Sequence, residues 1–235
     1  VRTLKVLNCC GKELGISIDP GLSDLGPFIA VTAVCSLKWC RDGIDQDMLS
    51  RVFASAKNLE LSSLKDHSMV RPYRRFMWSI GIDPTKVRPS HEALLRRVLS
   101  RGEFPRINPV VDVGNVASIE YMVPIGLYNL DLLRPPLVLR RSRAGEVFEP
   151  IGGKPRRLTG SEVVLSDQEK ILHIFPYRDS RTTMVTPGVG NILIVAAGVP
   201  GIAAERVEAA ALAARRYIAV AGCGVECAEL VTITS

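Results

Sequence analysis

At 235 residues, with 47% hydrophobic and 23% charged positions, the chain has the composition of a folded globular protein and the length to bury a real core, which excludes a disordered segment. No uninterrupted apolar run reaches the roughly 18 residues that a membrane span needs. The net charge of +6 is uneven: Arg71 to Arg157 holds sixteen Lys/Arg against eight Asp/Glu, a local excess of eight, so the remainder nets minus two. Such a zone can draw a polyanion, because phosphate neutralisation drives sequence-independent nucleic-acid binding; a solvated arginine-rich surface without a partner is the other reading.

The first segment alternates short apolar runs with turns, Leu4 to Leu7 and Gly15 to Ile18, with Asp19-Pro20-Gly21 as a turn signal. Its charges at Arg2, Lys5, Lys12 and Glu13 interrupt any sustained apolar centre, unlike a secretory signal, and a cytoplasmic protein is expected. Phe28 to Leu37 is β-branched and reads as a buried strand. From Asp45 to Asn58 the period changes, and Met48, Leu49, Val52, Phe53 and Ala56 fall on one helical face. Leu59 to Met69 reads as a loop or a short helical turn.

Pro72 opens the next helix, with Tyr73, Phe76, Met77 and Ile80 inward and Gly81 closing it. Pro89-Ser90 opens another, whose buried stripe is Leu94, Leu95, Val98 and Leu99 and whose end is Gly102. These two helices turn Arg74, Arg75, Arg96, Arg97 and Arg101 outward as candidate RNA contacts, since guanidinium groups suit bidentate phosphate binding. After the joint between Pro105 and Pro109, a third helical face runs from Val110 to Tyr121. Asp112 and Asn115 are three apart on it, so both side chains can reach one pocket; a polar pair in an apolar segment is bonded either to the protein or to a ligand.

Leu137–Leu139, Glu146–Phe148, Glu162–Leu165, Ile171–Phe175, Thr182–Thr186 and Asn191–Ala196 read as short strands, followed by an Ala-rich helix over Glu205–Val220 and a last strand over Glu229–Ile233. Irregular order favours an α+β architecture, a mixed β-sheet flanked by helices. One domain over 1–235 is expected, with a core of about 71–196, strands and a helix over 1–70, and a helix and strand over 197–235. Gly152-Gly153 and Gly188-Val-Gly190 lack phosphate-loop spacing, so no nucleotide cofactor is expected. Cys9, Cys10, Cys35, Cys40, Cys223 and Cys227 contain no Cys-x-x-Cys, and His67, His91 and His173 stand apart from them. No metal site follows. Small buried thiols are the expectation; a bridge would be unusual in a cytoplasm outside hyperthermophiles.

Pro89-Ser-His-Glu-Ala-Leu-Leu-Arg-Arg-Val98, Pro105-Arg-Ile-Asn-Pro-Val-Val-Asp-Val-Gly-Asn115 and Pro124-Ile-Gly-Leu-Tyr-Asn-Leu-Asp131 resemble the tRNA-editing domain of the phenylalanyl-tRNA synthetase β subunit (the B3/B4 domain), and more closely its freestanding relatives. Glu162-Val-Val with Asp167, and Tyr177-Arg-Asp-Ser-Arg-Thr-Thr183, are similar to later motifs of the freestanding group. The resemblance implies an α+β fold of the synthetase editing-domain type. It also implies hydrolysis, in trans, of the ester joining a wrong amino acid to tRNA, with tRNA as partner and no cofactor. Two positions depart from the synthetase: Gly126 stands where it has a histidine, and Val195 where it has a glutamate, both of which recognise the misattached side chain. Asn115 matches.

On that resemblance Asn115 positions water or holds the amino acid, Asp112 holds Asn115, and backbone N–H groups around Gly126 serve the oxyanion. Gly126 and Tyr128, with Arg178, Asp179 and Thr183, are the substrate-side candidates; Arg178 and Asp179 could equally form a structural ion pair. Two other readings stay open: a tRNA- or RNA-binding module without chemistry, and an amino-acid-binding protein or small-ester hydrolase.

Overall fold

The computed structural model describes residues 4–40 and 44–235. In chain order it forms β1 (Lys5–Cys9), β2 (Lys12–Ile18), β3 (Phe28–Cys35), α1 (Gln46–Ala56), α2 (Arg71–Ser79), α3 (Ser90–Arg101), α4 (Pro109–Tyr121), β4 (Ile125–Asn129) and β5 (Leu137–Arg141). There follow β6 (Val147–Phe148), β7 (Arg156–Arg157), β8 (Val163–Ser166), β9 (Ile171–Ile174), β10 (Arg178–Asp179), β11 (Ile192–Gly198), α5 (Ala204–Gly222), β12 (Val225–Glu226) and β13 (Val231–Thr234).

Local chemistry sets the helix ends. Asp45 accepts from the Met48 N–H at 2.7 Å before α1, and Asn108 accepts from the Val111 N–H at 2.9 Å before α4, with Pro109 in its first turn. Gly102 ends α3 in the left-handed conformation, at φ 65°. Leu59 to Met69 carries only a short 3-10 turn, Leu64–Asp66. Thr182–Thr186 is not a strand: Arg181–Thr183 forms a 3-10 turn, because the Ser180 hydroxyl accepts from the Thr182 N–H and pulls the backbone into it.

The architecture is α+β, with the strands divided between two main sheets and a small β6–β7 ribbon. The first sheet runs β1-β2-β5-β8-β9-β10 and is mixed, its β2–β5 pair parallel and the rest antiparallel. The second runs β12-β3-β11-β4, antiparallel throughout, with β13 also on β3. Alternation along β11 explains the layers. Leu193, Val195 and Ala197 join the core shared with the first sheet and α2, whereas Ile192 and Ile194 join a core under α1, α3, α4 and part of α5. Among the described residues no helix is long and apolar enough to cross a membrane.

The cysteines correct the expectation of free thiols. All six are paired, as Cys9–Cys227, Cys10–Cys35 and Cys40–Cys223, with Cα separations of 5.7, 5.3 and 5.8 Å. β1, β3 and the segment after β3 lie against the chain's last strands, so cysteines 218 and 183 residues apart meet. Closing loops this long restricts the unfolded chain by about 5 kcal/mol each in chain-entropy terms.

Candidate functional site

The basic helices divide their arginines. Glu92 is fully buried on α3, and Arg74 on α2 donates to both of its oxygens at 3.0 Å while Arg96 donates at 2.7 Å. A carboxylate taken out of water needs such partners, because its desolvation otherwise costs several kcal/mol. Arg74 and Arg96 are therefore engaged internally, their side chains 14% and 22% exposed. Arg75, Arg97 and Arg101 are exposed and carry no ion-pair partner among the described residues. Arg71, also exposed, joins them: Arg71, Arg75 and Trp78 stand at i, i+4 and i+7 on α2, one stripe of its outer face, and Trp78 is 55% exposed. A groove of about 240 Å³ borders that stripe, lined by Asp24, Arg75 and Ser79 and by the apolar Leu25, Pro72, Phe76 and Pro200.

On α4, Asp112 does not hold Asn115. Its carboxylate accepts the Ile107 N–H at 2.7 Å and lies 3.8 Å from Arg106, so it ties the incoming loop to the first turn of the helix. Burial pushes its pKa up, against the Ile107 hydrogen bond and the Arg106 charge. Asn115 is half-buried, with no side-chain hydrogen bond to the described residues. Its helix presses on β4 through Gly114, where an added Cβ would come within 2.7 Å of the Leu127 side chain.

β4 is the outer strand of its sheet, and Gly126 stands directly opposite Val195 on β11. The Ala197 N–H donates to the Pro124 carbonyl and the Leu130 N–H to the Asn191 carbonyl, both at 2.9 Å, which sets the alternation. Gly126 and Tyr128 therefore spend their backbone groups on β11, and the N–H groups of Ile125 and Leu127 point to the open edge. The Gly126 N–H is unavailable to an oxyanion; its neighbours' are not. Side chains alternate the other way. Leu127 faces α4 at Gly114, while Gly126 and Tyr128 face the first sheet, with the sheet between the two sets.

On that inner side lies a polar unit. Tyr128, only 1% exposed, donates its hydroxyl to Asp179 Oδ1 at 3.1 Å, and His173 Nδ1 meets the same oxygen at 2.7 Å. A carboxylate only accepts, so Nδ1 carries the proton and Nε2 keeps its lone pair in the neutral ring. Burial, the Asp179 charge and the hydrogen bond all raise the Tyr128 pKa well above its ordinary value, so the phenol stays a donor. The phenol oxygen also fills the space over Gly126, where any side chain would collide with it. The His173 ring stands edge-on to Phe175, which meets Phe76 likewise, at 6.0 and 5.4 Å between centroids.

Of the residues named from sequence, the fold thus unites Gly126, Tyr128 and Asp179, and sets Asp112 and Asn115 on the other face of the sheet. Arg178 does not pair with Asp179; its guanidinium donates to the Ile151 carbonyl at 3.3 Å. Thr183 is fully buried, its hydroxyl without a partner. His173 was missed. The signal for it was a hairpin: β9 and β10 turn tightly about Pro176, which places His173 directly across from Asp179. Among the described residues no group of three or more His, Cys, Asp or Glu could hold a metal ion.

The sequence profile of the B3/4 domain matches residues 72–217, more than half of the chain. The chain belongs to the B3/4 domain family. Its relatives include the phenylalanine–tRNA ligase β subunits of Carboxydothermus hydrogenoformans, 35% identical over 124 residues, and Geobacter metallireducens, 34% identical over 110. These alignments cover 52% and 46% of this chain and only 15% and 14% of those subunits, so the chain spans a small part of the length of the relatives it matches. An N-terminal fragment of the phenylalanyl-tRNA synthetase β subunit from Pyrococcus horikoshii superposes with a TM-score of 0.49 at 16% identity, over 99% of this chain and 54% of that one. This B3/4 domain thus combines a polar inter-sheet unit with an outer face of unpaired arginines.

Proposed function

We propose that this B3/4 domain binds the single-stranded end of a tRNA and hydrolyses the ester that joins a wrong amino acid to it. The observation that carries the reading is the outer stripe of α2, where Arg71 and Arg75 have no ion-pair partner among the described residues and share their face with an exposed indole, Trp78. Arginines supply phosphate contacts and an exposed ring supplies a stacking platform, the two elements that single strands use. The family of the domain, and relatives named as phenylalanine–tRNA ligase β subunits, support tRNA as the partner, and the motif resemblance supports an aminoacyl ester as the substrate.

The test is a panel of tRNAs charged with non-cognate amino acids, incubated with the protein. Release above the buffer rate for at least one is expected, and no release from any would end the hydrolytic reading. Gly126 and Val195 favour a second reading, tRNA binding without chemistry, since the resemblance puts a histidine and a glutamate at those places. Salt-dependent tRNA affinity with no turnover on the same panel would select it.

A further inference from the structure

We propose that His173 is the base that activates the hydrolytic water, held in position by Asp179 and Tyr128; this rests on the hydrolytic reading above and assigns its chemistry. The two buried histidines make the contrast. His91 has both ring nitrogens sealed and unpartnered, packs its ring 4.8 Å from that of Tyr73, and is pushed down to about 3 by burial: an inert core ring. His173 has one nitrogen fixed on a carboxylate at 2.7 Å, while its Nε2 has no protein partner and is not sealed from solvent.

One ring nitrogen is fixed and one is left open, which is the arrangement a general base needs. The carboxylate sets the tautomer and the direction of the ring, and the Tyr128 hydroxyl bonds the same oxygen and so holds the carboxylate. The unit is anchored on three strands: His173 on β9, Asp179 on β10, and Tyr128 on β4, two residues beyond Gly126 and on the same face. That is the strand pair where the resemblance places side-chain recognition, and Tyr128 fills the room that a side chain at 126 would take.

The step balances without a co-reactant. A water beside Nε2 gives its proton to the imidazole as its oxygen bonds to the acyl carbon. The acyl C–O bond to the ribose then breaks, and the departing ribose oxygen takes the proton from Nε2. The products are a free amino acid and a ribose hydroxyl, and the neutral imidazole is restored. His173 is the catalytic residue; Asp179 and Tyr128 are positioning residues.

The experiment measures single-turnover deacylation of a susceptible mischarged tRNA across pH for the wild type, His173→Gln, Asp179→Asn and Tyr128→Phe, with tRNA affinity and thermal unfolding recorded for each. Among the described residues, the titratable groups in contact with the His173 ring are Asp179 from β10, at 2.7 Å, and Tyr128 from β4, whose ring lies 6.4 Å away between centroids. His173→Gln is expected to lower the rate by about 100-fold or more, with tRNA affinity unchanged, and to abolish the fall in rate on the acid side. Asp179→Asn is expected to lose at least about 10-fold, and Tyr128→Phe less. A folded His173→Gln that keeps the wild-type rate and pH profile overturns the assignment and leaves the hydrolytic reading standing, whereas an inactive wild type overturns both. If His173→Gln does not fold, an unchanged rate in Asp179→Asn, whose side chain is 31% exposed, overturns the assignment instead.

Discussion

Two regions of neighbouring helices use the same side chain for opposite ends. Around Glu92, arginines neutralise a carboxylate that has lost its water; along the outer stripe of α2, Arg71 and Arg75 stand in solvent beside Trp78 with nothing to neutralise. A count of positive charge treats the two groups alike. Only the second can meet a phosphate without first breaking an ion pair, so a basic zone measures capacity, not availability.

Glu92→Gln breaks this contrast hardest. It leaves Arg74 and Arg96 part-buried without a counter-charge, and a loss of about 3–5 kcal/mol is expected, a fall on the order of 10 °C in the unfolding midpoint for a chain of this length. Thermal denaturation followed by circular dichroism would read it, and an unchanged midpoint would mean that Glu92 is not the sink described. Trp78→Ala should weaken binding of a short single-stranded RNA by roughly 5- to 150-fold, the value of one base stacked on an aromatic ring, with the midpoint unmoved; fluorescence anisotropy of a labelled oligonucleotide tests this.

Replacing Arg71 and Arg75 together by Ala should flatten the dependence of log affinity on log salt by about 1.4, two phosphate contacts' worth for a single strand. Arg74→Ala should cost stability and leave that slope alone; equal slopes for the two variants would erase the distinction between the groups.

The smallest effect sharpens the same idea with a carboxylate. Burial by itself would raise the Asp167 pKa, but the Lys170 ammonium and the N–H groups of Glu169, Arg134 and Lys170 hold it below its ordinary value. A carboxyl lowered on folding stabilises the native state above its unfolded pKa, and that stability is lost as pH falls through the lower folded value. Asp167→Asn should therefore be less stable than the wild type at pH 7 and lose less as pH falls below the ordinary aspartate value of about 3.9, as urea midpoints at neutral and acid pH would show.

Much of the fold was legible. Pro72, Pro109, Asp45 and the glycines after α2 and α3 mark helix ends within a residue or two, because caps act through backbone groups three or four positions away. The stripe through Val207, Ala210, Ala211, Ala214 and Ile218 on α5 is buried as its period implies. The candidate site was half legible. Tyr128 and Asp179 lie in the motifs singled out from sequence, but Asp112 and Asn115, neighbours by helical spacing, face away from them, since residues three apart on a helix share a face without that face having to meet a given strand.

By itself the sequence determined what depends on near neighbours: where helices start and stop, which faces are apolar, and that positive charge gathers between Arg71 and Arg157. The tertiary structure decided which arginines stay free, which cysteines meet, and that His173 shares a carboxylate with Tyr128 45 positions earlier in the chain. The physical reason is the range of the forces. Caps and periodicity act within a turn or two, whereas ion pairs, disulfides and buried hydrogen bonds depend on distances in space that no spacing along the chain fixes.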